Sequence, residues 1–160
     1  MEYTTIDDMP PCEIFINKEG RWFHRGAEIV RKDIIRLFYA NMQRNSRGRY
    51  VLHWDGNICS VEVEDTAFVV RRVDKEQNAF CLYLSDDSVE SLIPETLSVG
   101  RENVLYCTVK NGRFPARFTR AAYYQLAEHI EEEEGGGFFL RAGKTKHAIL
   151  QVPSCVHQAC

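Results

Sequence analysis

Six arginines stand at matched places and carry the strongest chemical signal in the sequence. Arg21 and Arg113 sit beside a hairpin turn, Arg25 and Arg117 follow it, and Arg31 and Arg120 open a predicted helix. A cation in a first helical turn opposes the positive end of the helix dipole, so its placement needs a reason. A nearby carboxylate is one reason, with Asp33 beside Arg31. An anion held by the guanidinium and the free backbone N–H groups is the other. The second option makes Arg31 and Arg120 the ligand-binding candidates for a small anionic molecule, with Arg21, Arg113 and Trp22 in support. Strand alternation puts Trp22 and His24 on one face and Phe23 on the other, so Trp22 and His24 can line one pocket. The competing possibility is structural: arginines stacked on Trp22, Phe114 or Tyr50, or bridged to the acids at 62–65.

Catalytic signatures are missing. The sequence has no Gly-x-Ser-x-Gly, no phosphate-binding glycine loop, no His-Glu-x-x-His and no dinucleotide fingerprint. His24, His53, His129, His147 and His157 are scattered. We therefore expect a protein that is not an enzyme and carries no cofactor. Cys155, His157 and Cys160 form a Cys/His cluster, but they give only three ligands on a predicted tail, where a metal site wants about four on a rigid frame; no metal is expected. The six cysteines include no Cys-x-x-Cys pair, and four fall in apolar strand patterns, so reduced structural thiols are expected. Glu131 to Glu134 read as a solvated surface run at a fraying helix end.

The elements that position these residues follow from periodicity. Cys12–Ile16 and Arg21–His24 flank the turn Asn17-Lys18-Glu19-Gly20. Ile34, Leu37, Phe38 and Met42 share one face of a helix predicted over 31–45. Arg49–Trp54 and 57–64 flank Asp55-Gly56, a strong hairpin signal. A further hairpin spans 67–73 and 79–84. After a connector, 104–109 and 113–117 flank Asn111-Gly112, Thr119 caps a helix predicted over 120–133, and 138–141 with 146–152 close the chain.

Read this way, one unit occurs twice. Lys18-Glu19-Gly20-Arg21-Trp22 matches Lys110-Asn111-Gly112-Arg113-Phe114, and the strands after the helices match at Tyr50 with Phe138 and Leu52 with Leu140. The expectation is an α+β fold of two tandem degenerate ββαββ repeats with an extra central hairpin and mostly antiparallel sheets. Its divisions are a tail at 1–11, a first repeat at 12–66, the central hairpin at 67–85, a connector at 86–102, a second repeat at 103–152 and a tail at 153–160. The ligand is expected in a cleft between the repeats.

Bulk properties narrow the function classes. In 160 residues, 44% hydrophobic and 27% charged, the composition is that of an ordinary globular domain. Net charge is −3, but residues 17–49 hold nine Lys/Arg against three Asp/Glu, and residues 50–104 hold four against eleven. The acidic middle disfavours nucleic acid as a partner. No apolar run reaches the roughly 18 residues of a membrane span, and Met1-Glu2-Tyr3 opens no signal peptide, so a cytoplasmic chain is expected. The second function class is a protein-interaction domain docking a protein partner on the basic 31–47 helix face or on a sheet edge.

A run of collinear motifs resembles one family. Gly20-Arg21-Trp22-Phe23, Gly26 and Ile29 before Arg31, Arg36-Leu37-Phe38, Arg49-Tyr50-Val51-Leu52 and Val63-Glu64-Asp65-Thr66-Ala67-Phe68 are similar to the bacterial domain of unknown function 1285. Tyr123-Tyr124-Gln125-Leu126-Ala127-Glu128 resembles its second helix, so the resemblance covers about residues 12–150. It implies a two-part α+β fold with similar halves and a small-molecule or signalling role. The sequence departs from it at Asp55-Gly56-Asn57, where a Pro-x-Glu turn is expected, and at Ala67, where proline is preferred.

Overall fold

The first strands form along the apolar stretches around Ile14 and Trp22. β1 (Pro11–Ile16) pairs antiparallel with β2 (Trp22–His24), which pairs with the short β3 (Ala27–Glu28). Helix α1 (Lys32–Ala40) follows, then a meander of β4 (Met42–Arg44), β5 (Tyr50–Trp54) and β6 (Asn57–Val63). β6 returns beside β1 in parallel, giving a six-stranded mixed sheet in the order β3-β2-β1-β6-β5-β4. This computed structural model describes residues 9–151.

The remaining strands build a second sheet. β7 (Phe68–Glu76), β8 (Ala79–Leu84) and β9 (Val89–Ser91) form one antiparallel run. β10 (Ser98–Val99), β11 (Leu105–Val109) and β12 (Phe114–Phe118) form another, with β12 parallel to β7. Helix α2 (Arg120–Ala127) leads into β13 (Ile130–Glu132), β14 (Phe138–Ala142) and β15 (Thr145–Gln151). The sheet has nine strands in the order β13-β14-β15-β10-β11-β12-β7-β8-β9.

This corrects the expected fold class. The chain is mostly β with two large mixed sheets, not an α+β pair of ββαββ repeats. Both helices are shorter than their periodicity predicts. Met42 continues the helical stripe of α1, yet it lies in β4, 4% exposed and opposite Leu52. At that point the free edge of β5 satisfies backbone groups and buries the same side chain, so pairing displaces helix. Asn41 marks the stop, donating from its side chain to the Leu37 carbonyl at 2.8 Å. α2 likewise ends at Ala127, and Ile130–Glu132 pair with β14. The hairpin predicted over 67–84 lies inside the nine-stranded sheet, welded to β12.

One apolar core joins the two sheets. Ile14, Ile16, Trp22 and Leu52 from the first share a cluster with Phe68, Leu82, Leu105 and Phe114 from the second. The hairpin between β1 and β2 approaches the second sheet closely at Val69. Gly20 sits at φ +82°, and a Cβ there would lie 2.7 Å from Val69 Cγ2. Only glycine fits both the turn and the contact.

The reduced-thiol expectation is corrected at one pair. Cys12 and Cys59 form a disulfide with Cα atoms 5.0 Å apart, tying β1 to β6. Free Cys107 is buried, and burial pushes its thiol far up. The cluster at Cys155, His157 and Cys160 lies outside the described residues. No helix among the described residues is long and apolar enough to cross a membrane.

Candidate functional site

Three of the six matched arginines are closed by acids nearby in the chain. Arg31 holds Asp33 at 2.7 Å, and that guanidinium keeps the Asp33 carboxyl below its usual range. Arg21 grips Glu28 with two bonds, at 2.7 and 3.0 Å, and Arg25 pairs with Glu13. Arg117 is different. It donates to Asp65 Oδ2 at 2.9 Å, and the Tyr106 hydroxyl donates to the same oxygen at 2.7 Å. Asp65 follows β6 and Arg117 lies on β12, so this cluster staples the two sheets. Burial, then the bond to Asp65, pushes the Tyr106 hydroxyl well above the tyrosine range.

The second-half arginines at the other matched places make no ion pair among the described residues. Arg113 donates to the Lys110 carbonyl at 3.0 Å and lies over Phe114. Arg120 is exposed in the first turn of α2, which is capped by Thr119 accepting from Ala122 N–H at 3.2 Å. Trp22 is fully buried, packed on Phe38 and Tyr39 with ring centroids at 5.9 and 4.8 Å, so it is a core residue.

The sharper site lies one layer out from Trp22. A cavity of about 400 Å³ opens between α1 and the six-stranded sheet. Strand register builds its floor. Ile14 stands opposite His24 and Leu52 opposite Cys59, which puts these side chains on one face. Trp54 joins them two residues beyond Leu52. The roof is Ile34 and Phe38, one helical turn apart on α1, with Ile29 closing an end. The Cys12–Cys59 bridge forms part of the wall. His24 is the one lining side chain that can both donate and accept a hydrogen bond, and it stands exposed at the rim; the Trp54 indole N–H can only donate.

The surroundings of this cavity are unusually apolar for a surface. Trp54 and Leu37 are each 45% exposed and Val30 is 75% exposed. Phe38 meets Trp54 edge-on at 5.3 Å, so two aromatic rings frame the opening. α1 is amphipathic, yet Tyr39 is its only buried residue. Its apolar face is therefore only half covered. A contiguous uncovered apolar surface around a concave site is the usual mark of a binding place.

Two larger depressions lie elsewhere on the six-stranded sheet. One, of about 700 Å³, runs past Phe15, Phe23, Arg25 and Glu62; the other, of about 650 Å³, runs past Arg49, Glu62, Glu64 and Asp65. Both carry charged side chains, and in the first Arg25 is paired with Glu13. None of these three cavities is lined by Arg21, Arg31, Arg113 or Arg120.

None of the ligand-binding residues expected from the sequence lines this cavity, although some of its walls lie in elements the sequence shows. The strand alternation places His24 on the Trp22 face, and the helical stripe includes Ile34 and Phe38. Sequence reasoning missed Ile29 and Trp54, and it missed the disulfide, because Cys12 and Cys59 come together only through the parallel return of β6.

Residues 7–66 match the domain of unknown function (DUF1285), N-terminal domain. The fold is similar to that of a DUF1285 family protein from Silicibacter pomeroyi DSS-3, with a TM-score of 0.73 and 20% identity over 89% of this chain and 82% of that chain. It is also similar to a DUF1285 family protein from Shewanella baltica OS155, with a TM-score of 0.63 and 17% identity over 74% of this chain and 91% of that chain. No curated protein matches. The resemblance to this family is shown by sequence over the first part of the chain and by fold over most of its length.

Proposed function

We propose that the chain is a non-enzymatic binding module for a small, largely apolar molecule with one acidic or hydrogen-bonding end. The carrying observation is the half-covered apolar cavity under α1 with the His24 imidazole at its rim as its only hydrogen-bond acceptor of full strength and the Trp54 N–H as a second donor. The apolar part of the ligand fills the space between Ile34, Phe38, Leu52 and Trp54, and its polar end meets the imidazole. The excess of cations over residues 17–49 favours an anionic end. The expectation of an anionic ligand is kept, while its place moves from the matched arginines to this cavity.

The anchoring of α1 supports a signalling role. The Tyr39 hydroxyl donates to the Ala67 carbonyl at 2.7 Å and lies 2.9 Å from Ser85 Oγ, and Arg36 reaches Asp87 at 3.0 Å. A ligand that shifts α1 therefore pulls on the second sheet. The expectation of a cytoplasmic chain is kept in this reading, and there the Cys12–Cys59 bridge stands against a reducing pool.

Trp54 provides the test. Titration with decanoate should change its fluorescence saturably, with decanol binding more weakly. Ile34→Trp, which fills the cavity, should abolish the response to decanoate in thermal shift while the variant stays folded. No saturable response to decanoate, naphthoate or decanol would sink the reading. A second reading, docking of an apolar partner helix, is favoured by Val30 and Leu37, which lie outside the cavity; Leu37→Lys should abolish that docking without touching small-molecule binding.

A further inference from the structure

Of the four strands that end the two sheets, β3, β4, β9 and β13, two carry charge of opposite sign that is unpaired among the described residues. β4 ends the six-stranded sheet and β13 ends the nine-stranded one. β4 and the turn after it carry Arg44, Arg47 and Arg49, which make no ion pair among the described residues. Their presentation is ordered. The Asn45 side chain accepts from the N–H groups of Arg47 and Arg49 at 3.0 and 2.9 Å, and Arg44 lies over the Tyr50 ring at 5.8 Å. β13 and its turn carry Glu131 to Glu134, all exposed. Glu131 is held by Arg141 at 3.0 Å, while Glu132, Glu133 and Glu134 make no ion pair among the described residues. That turn is ordered too: Glu133 N–H donates to the Gly137 carbonyl and Gly136 N–H to the Glu133 carbonyl.

Charge on an edge strand normally prevents pairing with another chain. Here it does so selectively. A β4–β4 joint sets arginines against arginines, and a β13–β13 joint sets carboxylates against carboxylates. A β4–β13 joint sets guanidinium against carboxylate, with both edges free to pair. We infer that the chain associates head to tail with a second copy of itself, the basic β4 edge of one docking on the acidic β13 edge of the next. Such a contact is heterologous, so it grows into chains or closes into rings according to the rotation at each joint. Each strand is three residues long, so a single joint is weak and reversible. The acidic run is exposed as the sequence predicts, on β13 and its turn rather than at a helix end, and it supplies one half of this interface.

Sedimentation velocity of the full chain tests this across protein concentration. The weight-average mass should rise with concentration at low salt and fall back to that of the monomer at about 0.5 M salt, where screening is nearly complete beyond a few ångströms. The triple variant Arg44→Glu, Arg47→Glu, Arg49→Glu should remain monomeric, as should Glu132→Lys, Glu133→Lys, Glu134→Lys. Each of these restores complementarity to the other, so an equimolar mixture of the two should associate again. A wild type that stays monomeric at every concentration, a single variant that associates like wild type, or a mixture that stays monomeric would each overturn the inference.

Discussion

Asp65 is the carboxylate on which the joint between the sheets turns. Its side chain is 6% exposed; one oxygen takes bonds from Arg117 and Tyr106, and the other is buried without a hydrogen bond from the protein. Asp65→Ala leaves a half-buried guanidinium and a buried phenol without their acceptor, and should cost about 2–3 kcal/mol in denaturant unfolding. Asp33→Ala, at an exposed pair, should leave stability unchanged within error. Burial also holds the protons on Tyr39, Tyr50 and Tyr106 more tightly in the folded chain than in the unfolded one. Their contribution is intact below the unfolded tyrosine value of about 10 and is lost as pH rises toward the higher folded values. Asp86 acts at the other end. Burial alone would raise it, but bonds from Lys110 and Ser88 bring it below its usual value. Its contribution is present above about pH 3.9 and is lost as pH falls through the lower folded value. Melting temperature should therefore fall above pH 10 and again in acid; a profile flat through the alkaline limb would contradict the tyrosine account. At this scale the sequence was legible for Arg31, whose carboxylate lies two positions away. It was not legible for Arg117, whose partner is 52 residues distant.

Elements were legible where one periodicity ruled alone. β5 and β6 lie around Asp55-Gly56, as the alternation predicts, because a two-residue turn and a half-buried face agree there. The helix ends failed where two periodicities overlapped: Met42 fits the stripe of α1 and also the inner face of β4, and only the neighbouring strand decides between them. The repeat failed for a related reason. Hairpin–helix–hairpin order is visible in one dimension, but β3, β4, β10 and β13 are too short to signal themselves, and they turn the pieces into sheets of six and nine. Between these sheets one tight point is the β1–β2 turn on β7. Gly20→Ala adds strain at positive φ and drives a Cβ into fully buried Val69. It should lower stability by about 1–3 kcal/mol in chemical denaturation. A loss as small as that of Gly26→Ala, where a Cβ meets nothing within 4 Å, would show that the turn does not seat there.

The whole molecule behaves as one body if its core does. Buried residues of both sheets form one cluster, and Tyr39, Asp65 and Gly20 each cross between them. Unfolding followed by tryptophan fluorescence, with both tryptophans in the first half, should coincide with unfolding followed by circular dichroism. Two separated transitions would mean independent halves. Composition bounded the molecule as a globular domain, and the resemblance in the chain's first part anticipated its fold relatives. The cavity was beyond reach, because it depends on a helix docking imperfectly over a sheet, and imperfect packing leaves no periodic trace. That cavity is the centre of the account. Its most direct test is methyl NMR of the full chain with bound decanoate, reading contacts between ligand protons and isoleucine and leucine methyls. Contacts to Ile29, Ile34 and Leu52 together are expected, with none to Leu97 or Leu150. Contacts confined to other methyls, or none at saturating decanoate, would contradict it.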